Sequence, residues 1–260
     1  MNNSYSSFQI KKQICDIGRR MYDREFVAAN DGNISVRVSE NEVWTTPTGV
    51  SKGFMTPDMM VKVDLNGKVL QGTHKPSSEL KMHLKVYKEK PEVKAVVHAH
   101  PLTATALATA GIPLDRALLP EAVITLGIVP ISQYATPSTD EVPESIAAYI
   151  KDYNAVLLAN HGALTWGRDI FEAYYRMETV EFYSKIILTT QLIGHANELP
   201  CNKVGDLLKI REKMGITGIT PSANCSIEPE EPKEVKASPQ DMEYIAQKVT
   251  EAVLKKLNLG

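Results

Sequence analysis

Cysteine is scarce, with Cys15, Cys201 and Cys225 the whole complement of a 260-residue chain. Their odd number and wide separation argue against a disulfide framework and fit a reducing compartment. Long apolar runs are also missing. Nothing reaches the ~20 consecutive apolar residues of a membrane span. The opening MNNSYSSFQ lacks the charged-then-apolar order of a secretion signal, so a cytoplasmic chain is expected. Charge of one sign is absent as well: 29 lysines and arginines face 31 acids, a net charge of −2. That balance gives no electrostatic reason to expect nucleic acid or an anionic membrane as partner, and a small metabolite is the better expectation. There is no internal repeat.

What is present fits one domain with an appendage, since domains run to roughly 100–200 residues. Ile10, Ile14, Ile17 and Met21 recur at helical spacing and predict a first helix that ends near Phe26. NISVRV, EVWTT and VKVDL follow, separated by Asp31-Gly32, Pro47-Thr48-Gly49 and Asn66-Gly67, which predicts an antiparallel meander. Ser77-Ser78 is expected to cap a helix running to about Lys90. VKAVVHAH reads as a strand that Pro101 ends before an alanine-rich helix. Further strands are expected at GIVPI and NAVLLA, then a long helix begins at an aspartate cap in DIFEAYYRMETVEFYSKIILTTQLIG. Strands and helices mix without strict βαβ alternation. The expected fold class is α/β, a single layered αβα domain with a mainly antiparallel central sheet.

Near residue 216 the character changes. Residues 217–239 are rich in Pro, Ser and Glu and predict a flexible linker after a domain spanning 1–216. In residues 240–260, Met242, Ile245, Val249 and Val253 step by three and four, giving an amphipathic helical tail.

The candidate chemistry centres on histidine. His98 and His100 lie two apart in a predicted strand, so both rings leave the same face and can converge on one ion. An isolated pair of this kind also suits a solvated sheet face, but the apolar run Ala95-Val96-Val97 marks a buried strand end, where polar side chains need partners. His161 follows the apolar run AVLLAN in the same manner, although a capped loop would hold it equally well, and Glu79 stands beside a helix start. Three neutral imidazoles leave nearly the full charge on a divalent cation, which suits Lewis-acid polarisation of a carbonyl. Such ligands do not by themselves select zinc over other divalent ions. His83 competes, because Glu79 and His83 are one helical turn apart. His74 and His195 read as structural, and the cysteines as packing residues.

In order along the chain, GNISVR, TPTG, KPSSELKMH, VVHAHP, QYATPST and NHG resemble the class II aldolase/adducin family over roughly residues 8–200. Within it the likeness leans to the aldolases of fuculose phosphate. The resemblance implies one Zn2+ per subunit held by His98, His100, His161 and Glu79, with Glu79 also acting as the catalytic base. It implies a phosphate subsite at Gly32, Asn33, Thr48, Gly49, Ser77 and Ser78. Glycines allow close backbone approach, and hydroxyls and helix-start N–H groups suit phosphate oxygens. Tyr134 matches a family tyrosine that reaches a neighbouring subunit's site, which implies a homotetramer.

The implied reaction is reversible cleavage of a ketose 1-phosphate, of the fuculose or rhamnulose 1-phosphate type, to dihydroxyacetone phosphate and an aldehyde such as lactaldehyde. Family epimerases carry aspartate where Glu79 stands, and sugar-phosphate dehydratases share the zinc logic; both remain alternatives. A non-catalytic adducin-like interaction module is the alternative of another class. The tail at 240–260 resembles the encapsulation peptides that recruit enzymes to bacterial microcompartment shell proteins, and a helix folding back on its own oligomer is the competing reading.

Overall fold

Alternation of side chains along the strands sorts the core onto the two faces of one sheet. The structure, a computed structural model, describes residues 6–221; most of the expected linker and the whole tail at 240–260 lie outside the described residues. β1 (Asn33–Arg37), β2 (Glu42–Thr45), β3 (Val61–Asp64) and β4 (Val69–Gln71) are successive antiparallel neighbours, forming the expected meander. The remaining strands are β5 (Ala95–Ala99), β6 (Ile131–Ser132), β7 (Ala155–Leu158) and β8 (Gly162–Gly167). The sheet order is β4-β3-β2-β1-β5-β8-β7-β6, and every pairing is antiparallel except β6 with β7. The GIVPI stretch gives only a bridge from Val129 to Leu114, and the strand falls just after it at Ile131–Ser132.

Helices cover both faces, as the layered expectation required. α1 (Ser7–Asp23) starts at Ser6, whose hydroxyl accepts the Gln9 N–H while the Gln9 side chain accepts the Ser6 N–H. This reciprocal cap satisfies donors that a helix start leaves open. The helix buries Ile14, Ile17 and Met21 and stops at Asp23, ahead of the expected end near Phe26. With α3 (Leu102–Ala110) and α6 (Ile170–Ile193) it packs on the face formed by Ala95, Val97 and Ala99 of β5. α2 (Leu80–Glu89) and α5 (Glu141–Ile150) pack on the other face, where Val96, Val156, Leu158 and Trp166 meet Leu84, Val142 and Ile146. Each fully buried Val or Leu on these faces stabilises by ~1.5–3 kcal/mol relative to exposure.

α4 (Pro120–Thr125) and α7 (Cys201–Lys213) complete the described chain. The buried Arg211 of α7 donates to the carbonyls of Val123 and Ile124 and to Thr217 O. Asn154 also donates to Thr217 O, and Ile219 N–H donates to Asp152 O at 2.9 Å. The hydrogen-bonded chain therefore continues beyond the boundary expected at 216. Among the described residues no helix is long and apolar enough to cross a membrane.

Candidate metal centre

β5 delivers His98 into the centre of the sheet, directly opposite Asn33 on β1 and Leu164 on β8. Ala95, Val97 and Ala99 belong to one core and Val96 to the other, so the two-residue period puts His98 on the Val96 face, beneath α2. His100 continues that phase just past the strand, with its backbone N–H held by Phe26 O at 2.9 Å. His161 lies in the turn between β7 and β8, where its N–H donates to Leu158 O. The next residue has to be glycine. A Cβ on Gly162 would fall 2.5 Å from Ala99 O and 2.7 Å from His100 Cδ2, so its absence lets the His161 turn close onto β5. Glu79 is the residue immediately before α2.

The three rings meet at similar spacings, with centroids 4.9, 4.8 and 5.0 Å apart. One nitrogen from each of His98, His100 and His161 lies within 4.8 Å of the others. Glu79 bridges them: Oε1 is 3.1 Å from His161 Nε2 and Oε2 is 3.3 Å from His98 Nε2. Asn33 Nδ2 donates to Glu79 Oε2 at 2.9 Å. His98 Nδ1 is 2.9 Å from Ala163 O. A carbonyl can only accept, so Nδ1 carries the proton and Nε2 turns its lone pair to the centre. Asp31 Oδ2 stands 3.5 Å from His100 Nδ1, favouring the same tautomer there. The two Nε2 atoms then face each other at 3.0 Å, an arrangement that lone pairs resist unless a cation or proton lies between them.

Electrostatics point the same way. Burial pushes the Glu79 carboxyl up, but the charge of His98 and hydrogen bonds from His161 and His98 outweigh it and hold the group well below the usual carboxylate range. Burial disfavours charge on His98, yet Glu79 raises it above the ordinary imidazole value. Burial and repulsion from His98 and His161 push His100 down to about 3, leaving it the neutral imidazole that a metal requires. The cluster thus favours positive charge at its centre. Three imidazole nitrogens and a carboxylate are a suitable donor set for a tetrahedral divalent cation, whose ligands sit ~3.3 Å apart for bonds of ~2.0 Å.

The donor set opens into a cavity of about 330 Å³ that Gly32, Asn33, Thr48, Gly49, Ser77, Ser78, Glu79, His100 and His161 line. Every residue expected at a phosphate subsite therefore shares one hollow with three of the four expected ligands. Gly32 has φ +72°, and a Cβ there would meet His98 O at 3.0 Å, so only glycine brings this loop against β5. Ser77 and Ser78 precede the helix instead of capping it: α2 begins at Leu80, and Ser77 Oγ accepts the Glu79 N–H at 3.3 Å.

Other expected candidates fall elsewhere. His83 is outside the cluster, its Nδ1 lying 2.7 Å from Ser35 Oγ, which in turn meets Tyr87 Oη. His74 lies beside Thr73 and His195 beside Asn197. Tyr134 is 62% exposed and does not line the cavity of its own chain. Asn30, Asp31, Lys52, Pro137 and Ser138 line it unforeseen. The turn signal at Asp31-Gly32 and the motif QYATPST, which contains Pro137 and Ser138, were the sequence hints to this group.

Residues 12–188 match the family model described as Class II Aldolase and Adducin N-terminal domain. The chain belongs to the class II aldolase and adducin family. It is 39% identical over 168 residues to an L-fuculose phosphate aldolase of Methanococcus maripaludis, covering 64% of this chain and 88% of that protein. It is 34% identical over 185 residues to a 3-oxo-tetronate 4-phosphate decarboxylase of Haemophilus influenzae, covering 70% and 88%. A solved L-fuculose 1-phosphate aldolase superposes with a TM-score of 0.74 at 29% identity, covering 83% of this chain and all of that one. The class II aldolase fold explains the flanked, mostly antiparallel sheet. The relatives are enzymes, metal dependence is characteristic of the family, and a His98-His100-His161 group able to bind a metal is present.

Proposed function

We propose that the chain reversibly cleaves a ketose 1-phosphate, of the fuculose or rhamnulose 1-phosphate type, into dihydroxyacetone phosphate and a short aldehyde such as lactaldehyde. One observation carries this reading: the His98-His100-His161-Glu79 set opens into the cavity lined by Thr48, Gly49, Ser77 and Ser78. Zn2+, held by those four side chains, would supply Lewis-acid polarisation of the ketose carbonyl. Thr48 and Ser77-Ser78 offer neutral donors to the phosphate, and Gly32 and Gly49 admit it to the backbone. Glu79, a poor proton holder in its resting environment, gains proton affinity once it leaves the imidazoles. It can then take up a proton from solvent and pass it to the carbon freed by C3–C4 cleavage. Asn33 steadies the carboxylate through Oε2.

Tyr134 would help remove the proton of the C4 hydroxyl, its phenol oxygen accepting that hydrogen as its own proton passes to solvent. Its exposure supports a reach into a neighbouring subunit's cavity, so that active sites form between subunits of a homotetramer.

The relative from Haemophilus influenzae favours a second reading, decarboxylation of a 3-oxo sugar acid phosphate, which also leaves a carbanion beside a polarised carbonyl. Incubating the protein with ketose 1-phosphates and with 3-oxo-tetronate 4-phosphates, with and without chelator, separates the two. Chelator-sensitive release of dihydroxyacetone phosphate is the expected outcome. Carbon dioxide release without any aldol cleavage would overturn the aldolase reading.

A further inference from the structure

Lys52 is 2% exposed, and it lines the cavity beside Thr48, Gly49, Ser77 and Ser78. Its backbone is pinned against α1, where a Cβ on Gly18 would fall 2.7 Å from Lys52 O. An ammonium carries three donors. Two are taken: Nζ donates to Asn30 O at 2.8 Å and to Val50 O at 2.6 Å. Those carbonyls belong to the loops that carry Gly32 and Gly49, so the side chain ties both loops to one point at the cavity. The third donor has no protein acceptor, and no carboxylate forms an ion pair with Nζ, among the described residues. Lys90, the other buried lysine among them, rests on the carbonyls of Lys151 and Tyr153 and does not line this cavity.

A buried cation without a paired anion is costly unless the protein's task provides one. The subsite residues expected from the sequence are all neutral, whereas a phosphate ester is an anion. Burial pushes the Lys52 ammonium down to about 8, while Asp31 and Glu79 pull the other way, so it is charged at neutral pH.

We infer that Lys52 is the cationic member of the phosphate subsite, giving its remaining N–H to a substrate phosphate oxygen between the Thr48-Gly49 and Ser77-Ser78 segments. This assignment rests on the reading that the cavity takes a phosphorylated substrate. The neutral groups then set the geometry of the phosphate and Lys52 its charge preference.

The test is calorimetric binding of inorganic phosphate to the full-length, zinc-loaded protein and to its Lys52→Met and Lys52→Arg variants. A charge-assisted hydrogen bond contributes enough that Lys52→Met should weaken phosphate by about tenfold or more. Zinc stoichiometry should stay unchanged, and Lys52→Arg should recover part of the loss. A side chain that only ties the loops would not distinguish the variants by charge. Equal phosphate affinity in wild type and Lys52→Met, or no phosphate binding by wild type, overturns the assignment.

Should Lys52→Met fail to fold, a crystal structure of the wild-type protein with inorganic phosphate decides. A phosphate oxygen within ~3 Å of Nζ supports the proposal and a phosphate held elsewhere overturns it. Both measurements are read without turnover. Failure of the aldolase reading would instead appear as no cleavage of any ketose 1-phosphate.

Discussion

Asn33 and His98 stand directly opposite each other across β1 and β5, and both side chains reach the same atom, Glu79 Oε2, at 2.9 and 3.3 Å. Sheet register therefore sets the orientation of the carboxylate. Replacing Asn33 with Ala removes a donor without touching a ligand. Activity should fall ~10–100-fold, the usual effect of losing an outer partner of a metal ligand. Metal content should stay near that of wild type. Unchanged turnover would mean that Glu79 is oriented without Asn33.

On the proposed assignment His98→Ala removes a ligand from the buried centre and should abolish metal binding and cleavage together. Chelation of the wild-type protein should do the same reversibly. A metal that binds only the folded chain should, at a free concentration 100 times its Kd, stabilise it by ~2.7 kcal/mol, visible as a higher melting temperature. Metal analysis of the variant checks the first claim, and a fully active, metal-free His98→Ala protein would falsify the proposed centre.

Glu181 of α6 is the cap of another helix. Its carboxylate accepts the Thr103 and Ala104 N–H groups at 3.0 and 2.9 Å and the Thr103 hydroxyl at 3.0 Å, fixing the start of α3 just after His100. Glu181→Ala should cost ~2–3 kcal/mol in urea unfolding, since several charge-assisted bonds to buried donors vanish together. A loss below ~0.5 kcal/mol, the range of an ordinary surface change, would contradict this role.

Acid should weaken the fold through His83. Burial and the charge of His98 push its imidazolium down from 6.5 to about 3, with Glu79 pulling the other way. Between those values the unfolded chain binds a proton that the native ring refuses. Stability therefore falls as pH drops from about 6.5 towards 3, by up to ~1.4 kcal/mol per pH unit from this group. Unfolding at several pH values should show a shallower slope for His83→Gln. Identical slopes would remove His83 from the account.

Where packing follows a short repeat, the sequence was legible. Ile14, Ile17 and Met21 face the core as their spacing implies, and the alternation Ala95-Val96-Val97-His98 places the histidine on a definite face. β8 escaped because glycines bound it and its burial comes from a central place in the sheet. Pro143 in the first turn of α5 and Gly205 within α7 obscured those helices. The imidazoles were readable because strand ends were. Lys52 was not: a buried lysine is distinguished only by what folds around it, and the carbonyls of Asn30 and Val50 lack any residue-specific mark.

The absent side chain at Gly162 fixes when the centre can exist. No continuous stretch supplies more than the His98 and His100 pair, and the remaining imidazole arrives only when the following hairpin docks against Ala99. A cation that needs all three imidazoles can load only after the sheet has closed. A nascent chain that ends before the β7–β8 hairpin holds only two of the three imidazoles.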